Sequence, residues 1–241
     1  KSDSLRYVTN FSKNGLSTIY ILINSGSNYF YTYDFYENNL TELAITTEIG
    51  MAPTLQRLND DYIIALGGRY SDAINMYEIY SNKWYFIGRM AYQRFGAYAV
   101  LNEYENIVSI AGGINEKEDN TLDIEYFRLT KNFDSEIMTK KIKDDYLLRK
   151  INPVVIPIFD YNTYIICGGA GMWGNVSTCA IYYTDKDTVV LSNNSLPKPI
   201  ATENHNVHFY KEAVYFFSSH DEIIKYNGLD NSYSVISRKS D

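Results

Sequence analysis

Five times along this chain a tyrosine is followed, seven positions later, by a bulky apolar residue, and each pair lies just after a hydrophobic run. The pairs are Tyr33 with Leu40, Tyr77 with Trp84, Tyr126 with Phe133, Tyr182 with Val189, and Tyr226 with Tyr233. Successive tyrosines stand 44, 49, 56 and 44 residues apart. A period of that length marks supersecondary units that cannot bury their apolar faces alone and therefore stack on one another. If every unit shares one scaffold, function has to reside in the loops that differ between units.

The second unit shows the internal plan. Four strands are predicted at about Pro53–Leu58, Tyr62–Leu66, Ala73–Tyr80 and Lys83–Met90, separated by Asn-Asp, Gly-Gly and Ser-Asn turn signals. Short strands at this spacing suit a sandwich, barrel or propeller, and a period near ~50 favours the propeller. The first two strands read as nearly continuous apolar runs, as expected where both sheet faces are covered. The third, Ile74-Asn75-Met76-Tyr77-Glu78-Ile79, alternates and predicts a half-exposed outer strand. Twenty-four tyrosines against five prolines fit an aromatic-rich all-β chain, and 45% hydrophobic content is enough to fill a core. No run approaches the length of a membrane-spanning helix.

The apolar strand Tyr62–Leu66 ending in Gly67-Gly68, the spaced Tyr77 and Trp84, and Met90 and Arg94 closing the unit resemble the kelch repeat. Gly112-Gly113 and Gly168-Gly169 repeat the glycine pair, whereas Ser25-Gly26 and Ser218-Ser219 replace it in the first and last units. The resemblance covers essentially the whole chain, residues 1–241, as one domain. It implies an all-β, kelch-like β-propeller with five four-stranded blades in this chain, or part of a larger ring. Leu5–Phe11 is expected to open the first blade and Ser232–Ser237 to close the fifth. It also implies a non-enzymatic protein-interaction module, a substrate-recognition domain of a cullin ubiquitin ligase or a cytoskeletal adaptor in the cytoplasm. A fixed structural subunit of a cytoskeletal or ciliary assembly is the alternative, and an oxidase or sugar isomerase comes third.

Chemical signals are sparse. His205, His208 and His220 have no metal-ligand spacing, and no Cys/His/Asp cluster matches a zinc or EF-hand pattern, so no catalytic centre, metal or cofactor is expected. Cys167 and Cys179 flank a loop centred on Trp173, so a symmetric hairpin would set them opposite each other; a disulfide is open to them, although two buried thiols are the favoured reading. Four glycosylation sequons, at Asn10, Asn39, Asn175 and Asn193, are weak signals in an Asn-rich chain. The net charge of −7 argues against nucleic acid as a partner. Lys140, Lys141, Lys143, Arg149 and Lys150 are expected to form a solvated insertion, or less readily a basic docking patch.

Two loop sets remain as binding candidates. One follows each glycine pair: Arg69-Tyr70, Ile114–Asn120, Ala170–Asn175 and His220-Asp221. The other leads from one unit into the next: Ile49–Ala52, Ala91–Arg94, Lys143–Lys150 and Leu196–Asn204. By the resemblance both sets emerge on one face. Trp, Tyr and Arg dominate interface hot spots, which selects Arg69, Tyr70, Tyr92, Arg94, Met172, Trp173 and His220 as partner-binding residues. For Arg94 a purely structural role is the equal alternative, and Trp173 could instead plug the mouth of a channel.

Overall fold

The computed structural model describes residues 4–12, 15–24, 28–46, 48–102, 105, 107–115, 124–129, 135–140, 145–158, 162–171, 174–199, 207–210, 213–217, 223–227 and 232–236. Among them the chain forms five four-stranded antiparallel sheets, each built from consecutive sequence. The first contains β1 (Ser4–Ser12), β2 (Gly15–Asn24), β3 (Asn28–Asp34) and β4 (Asn39–Glu42), and the second β5 (Thr54–Arg57), β6 (Tyr62–Leu66), β7 (Ala73–Glu78) and β8 (Lys83–Arg89). The third contains β9 (Phe95–Asn102), β10 (Ile107–Ile114), β11 (Ile124–Leu129) and β12 (Ser135–Lys140). The fourth pairs β13 (Val154–Pro157), β14 (Thr163–Cys167), β17 (Thr178–Tyr183) and β18 (Thr188–Ser195), with a small hairpin of β15 (Ala170–Gly171) and β16 (Gly174–Asn175) inserted. The fifth is β19 (Val207–Tyr210), β20 (Ala213–Phe217), β21 (Ile223–Asn227) and β22 (Ser232–Ile236).

The sheets pack face to face in chain order. One apolar cluster joins Tyr20, Leu22 and Phe30 of the first sheet to Ile63, Ala65 and Tyr77 of the second. Ile64, Leu66 and Ile74 then meet Ala97, Val108 and Phe127 of the third. Tyr98, Val100 and Tyr126 meet Tyr164, Ile166 and Tyr182 of the fourth. Finally Val154, Ile165 and Cys167 meet Ile224 and Tyr226 of the fifth. Strand alternation explains this: successive side chains of one strand serve opposite junctions. The first strands of neighbouring sheets approach one another, β1 with β5, β5 with β9 and β13 with β19.

The seven-residue spacing is a cross-strand pair. Tyr33 faces Leu40, Tyr77 faces Trp84, Tyr182 faces Val189 and Tyr226 faces Tyr233 in the register of the third and fourth strands. A local motif accompanies it. The tyrosine hydroxyl donates to an Asn or Asp five residues on, Tyr33 to Asn38 (2.5 Å), Tyr77 to Asn82 (2.9 Å) and Tyr182 to Asp187 (3.4 Å). Each acceptor has a positive φ, of 51°, 53° and 46°, a conformation that Asn and Asp tolerate better than most residues. The acceptor also ties in the preceding sheet: Asn82 takes the Ala44 N–H at 2.7 Å, and Asp187 takes the Tyr126 hydroxyl at 3.1 Å. Trp84 is half-buried; its ring lies 5.2 Å from that of Phe30, and its indole N–H donates to the Ala44 carbonyl at 2.8 Å.

Two sequence expectations are corrected here. Tyr126 faces Met138, not Phe133, which lies outside the described residues. The third-sheet counterpart of Tyr77 and Tyr182 is Phe127, since all three sit opposite the residue four places before their glycine pair. The segment between Gly113 and β11 shifts the pattern by one, and a one-residue slip turns a side chain to the opposite face. Tyr126 therefore points at the fourth sheet while Phe127 points at the second. The other correction concerns β7, which is buried from Ala73 to Tyr77 despite its alternating pattern. Both of its faces are covered, and the half-exposed strand is the fourth, β8.

The glycine pairs have a steric cause. Gly67, Gly112 and Gly168 have φ of 61°, 65° and 65°, and their partners Gly68, Gly113 and Gly169 have 101°, 79° and 85°. A Cβ on the second glycine would enter its own sheet's first strand or the residues leading into it: 2.8 Å from Gly50 C at Gly68, 2.9 Å from Phe95 O at Gly113, and 2.9 Å from Ile151 O at Gly169. A Cβ on Gly112 would lie 2.1 Å from the carbonyl of Lys150, in the approach to the next sheet. These turns are where consecutive sheets touch backbone to backbone. The pairs replaced in the first and last units, Ser25-Gly26 and Ser218-Ser219, fall outside the described residues.

Candidate functional site

The two loop sets interlock. Arg69 and Met51 exchange backbone hydrogen bonds, Arg69 N to Met51 O at 2.7 Å and Met51 N to Arg69 O at 3.3 Å, and Ala170 and Ile151 do the same at 2.9 and 3.0 Å. Two of the three glycine pairs also bond forward: Gly68 N donates to Arg94 O at 3.0 Å, and Gly113 N to Lys150 O at 2.9 Å. In the second and third sheets the glycine pair is thus clamped between the entrance to its own sheet and the entrance to the next.

That clamp gives Arg94 and Lys150 equivalent places, and both are buried cations with exposures of 1% and 6%. Arg94 Nε donates to Glu125 Oε1 at 2.8 Å and its Nη1 to Gly112 O at 3.1 Å, while Glu125 Oε2 accepts the Ala91 N–H at 2.5 Å. Both side chains of this ion pair are wholly withdrawn from solvent. Arg94 is therefore an internal strut, the structural alternative that the sequence left open beside binding. Lys150 has no carboxylate partner among the described residues; its Nζ donates to the carbonyls of Ile166 (3.1 Å) and Thr178 (2.7 Å). Burial lowers its pKa to about 8, because desolvation disfavours the charged amine. The expected solvated or docking role of Lys150 gives way to a structural one. Of the rest of the basic run, Lys140 ends β12, Arg149 is half-buried, and Lys141 and Lys143 lie outside the described residues.

Around this strut lies a pocket of about 190 Å³, lined by the Gly68–Tyr70 turn, by Gln93, Arg94 and Phe95, and by Ile114 and Asn115. It brings together three of the sequence candidates, Arg69, Tyr70 and Arg94, with Tyr92 alongside. The Tyr70 ring is 69% exposed and lies under the Arg69 guanidinium, Cζ to centroid 5.2 Å. Tyr92 is 39% exposed and its ring centroid is 5.7 Å from Arg94 Cζ. Tyr70 has φ of 68°, a left-handed conformation that costs a residue with a side chain about 1–3 kcal/mol and that collects at binding sites. Gln93 Oε1 is buried without a hydrogen-bond partner. Sequence reasoning named the stretches holding Gln93, Ile114 and Asn115 but not these residues. They are distinguished only by the meeting of three chain segments. Met172, Trp173 and His220 lie outside the described residues.

Cys167 and Cys179 sit opposite each other in the register of β14 and β17 and form a disulfide, which corrects the favoured reading of two thiols. Direct cross-strand partners carry both Cβ atoms on one face, here the face toward the fifth sheet. The Tyr233 hydroxyl lies 3.2 Å from Cys167 Sγ and 3.5 Å from Cys179 Sγ. The bridge anchors the base of the loop that carries β15 and β16. Among the described residues no group of three or more His, Cys, Asp or Glu is arranged to hold a metal, and no helix is long and apolar enough to cross a membrane. Comparison with protein-family models and with curated proteins finds no match for this chain.

Proposed function

We propose that the chain is a kelch-type β-propeller that binds a protein partner, without catalysis, through the face where its glycine-pair turns and sheet-entry loops meet. The observation that carries this reading is the Arg69–Tyr70 turn. An aromatic and a guanidinium, stacked and exposed, are held in an unfavourable backbone conformation beside a pocket with an unsatisfied acceptor. Rigid presentation lowers the entropy lost on binding, and Tyr and Arg are the side chains that most often anchor interfaces. Chain-order stacking of four-stranded sheets, with their first strands drawn together, supports the propeller part of the proposal. The buried disulfide weighs against the cytoplasmic and ubiquitin-ligase setting expected from sequence, since such bonds persist in oxidising surroundings.

The test is quantitative affinity capture with the wild-type chain, with Arg69→Ala/Tyr70→Ala, and with Tyr80→Ala as a control at a side chain 97% exposed in the β7–β8 turn. A partner retained by the control and weakened by at least about 2 kcal/mol in the double variant supports the reading. Equal capture by all three chains overturns it. A solution-scattering profile that fits no ring or ring segment removes the propeller part independently.

A further inference from the structure

Every junction between sheets uses the same two kinds of face. The face a sheet turns toward its predecessor carries the cross-strand row of an aromatic and an apolar residue: Tyr77 with Trp84, Phe127 with Ile137, Tyr182 with Val189, Tyr226 with Tyr233. In the second to fifth sheets this row packs into the preceding sheet. The first sheet has the same row, Tyr33 with Leu40, and the same hydroxyl bond from Tyr33 to Asn38 at φ 51°. Phe30 on the other side of β3 faces the second sheet, so alternation turns Tyr29, Tyr31 and Tyr33 the opposite way.

Among the described residues no other sheet covers that outer face. Leu40 is 56% and Tyr29 41% exposed, although β2 contributes Ile19, Ile21 and Ile23 in register with Tyr33, Tyr31 and Tyr29. At the far end of the stack, Ile224 and Tyr226 are committed to the fourth sheet, which leaves Ile223, Lys225 and the cross-strand Ile236 on the opposite face, uncovered by any other sheet among the described residues. Ile236 is 41% exposed. The four apolar clusters join sheets one to two, two to three, three to four and four to five; among the described residues none joins five to one. The two ends also differ in charge where they would meet. Glu42, opposite Tyr31, lies on the first face, and Lys225 lies on the last.

We propose that the chain associates head to tail with a second copy of itself, the Tyr33–Leu40 face of one copy receiving the Ile223–Ile236 face of the other. The contact repeats the chemistry of the four internal junctions, an apolar cross-strand row seated on the alternate face of a neighbouring sheet, with Glu42 set against Lys225. It is heterologous, because each copy contributes a different face, and it therefore propagates beyond a dimer unless rotation closes it. It is separate from the Arg69–Tyr70 site and does not depend on the function proposed there.

The experiment exploits this polarity. Light scattering across a broad concentration range should show the wild-type chain growing in mass with concentration. Leu40→Glu and Ile236→Glu, both at exposed edge-strand positions, should each be folded by circular dichroism and monomeric, since each blocks one of the two mating faces on every copy. Mixed together they should form a one-to-one dimer and nothing larger, because one free face of each kind remains. Glu42→Lys should weaken association at least about ten-fold, and Lys225→Glu in the same chain should restore it. A wild-type chain that stays monomeric throughout overturns the proposal, whether its ends close on each other or another partner covers them. So does a mixture of the two blocked variants that fails to pair.

Discussion

Replacing Arg94 by Met tests whether the buried ion pair holds the third sheet's entrance or serves a partner. The substitution keeps much of the side-chain volume but leaves the Glu125 carboxylate buried with only the Ala91 N–H, at 2.5 Å, among the bonds described above. It also removes the Nη1 donor from the Gly112 carbonyl. Breaking a buried pair on one side costs about 3–5 kcal/mol, because an uncompensated charge remains in the interior. Adding Glu125→Gln to Arg94→Met removes that charge while keeping an acceptor for Ala91, at the cost of one buried neutral amide. A neutral unsatisfied group costs about 1–3 kcal/mol, so the second substitution should recover roughly 2 kcal/mol of the first loss. Urea denaturation of wild type, both singles and the double gives the full cycle. If Arg94→Met is neutral, or if adding Glu125→Gln further destabilises it, the pair is not a desolvated strut and the reasoning fails. Loss of partner capture in Arg94→Met at full stability would return Arg94 to the binding face.

Lys150 gives a pH signature. Its folded pKa of about 8 lies below the ordinary lysine value of 10.5. Between those values the unfolded chain holds a proton that the folded chain has released, so stability should rise with pH above about 8, by up to about 2–3 kcal/mol before tyrosines in the unfolded chain begin to ionise near pH 10. Lys150→Met should abolish that rise in denaturation midpoints measured from pH 7 to 10; a slope unchanged in the variant refutes the assignment. Gly112→Ala should cost at least about 2 kcal/mol in thermal melts, since φ is 65° and the new Cβ would meet the Lys150 carbonyl, whereas Gly174→Ala, with nothing within 4 Å, should cost less despite its φ of 109°. Equal losses at the two positions would show that steric approach is not what selects the glycine pair.

The division between sequence and tertiary structure follows from the range of the interactions. Local rules determined the units. The strand boundaries of the second sheet, the seven-residue pairing of Tyr77 with Trp84 and the glycine turns depend on hairpin register and backbone φ, which a few neighbouring residues set by themselves. The Tyr-to-Asn/Asp bond five residues on is of the same kind, and the spacing in Tyr33–Asn38, Tyr77–Asn82 and Tyr182–Asp187 makes it readable from sequence. What lay beyond sequence was every property fixed by a neighbouring sheet. Asn75 looks like an exposed position and is 2% exposed, because β7 is covered on both sides. Tyr126 keeps the repeat's spelling but faces the opposite junction, because an insertion of different length precedes it. Sequence left Arg94 between a binding and a structural role and read Lys150 as solvated, yet the clamp between adjacent sheets encloses both and supplies Glu125 to one and two carbonyls to the other. Register along a hairpin is a local matter of turn length. Burial is decided by a surface tens of residues away, as where Tyr182 meets Ser109 across 73 positions, and only folding brings that surface into place.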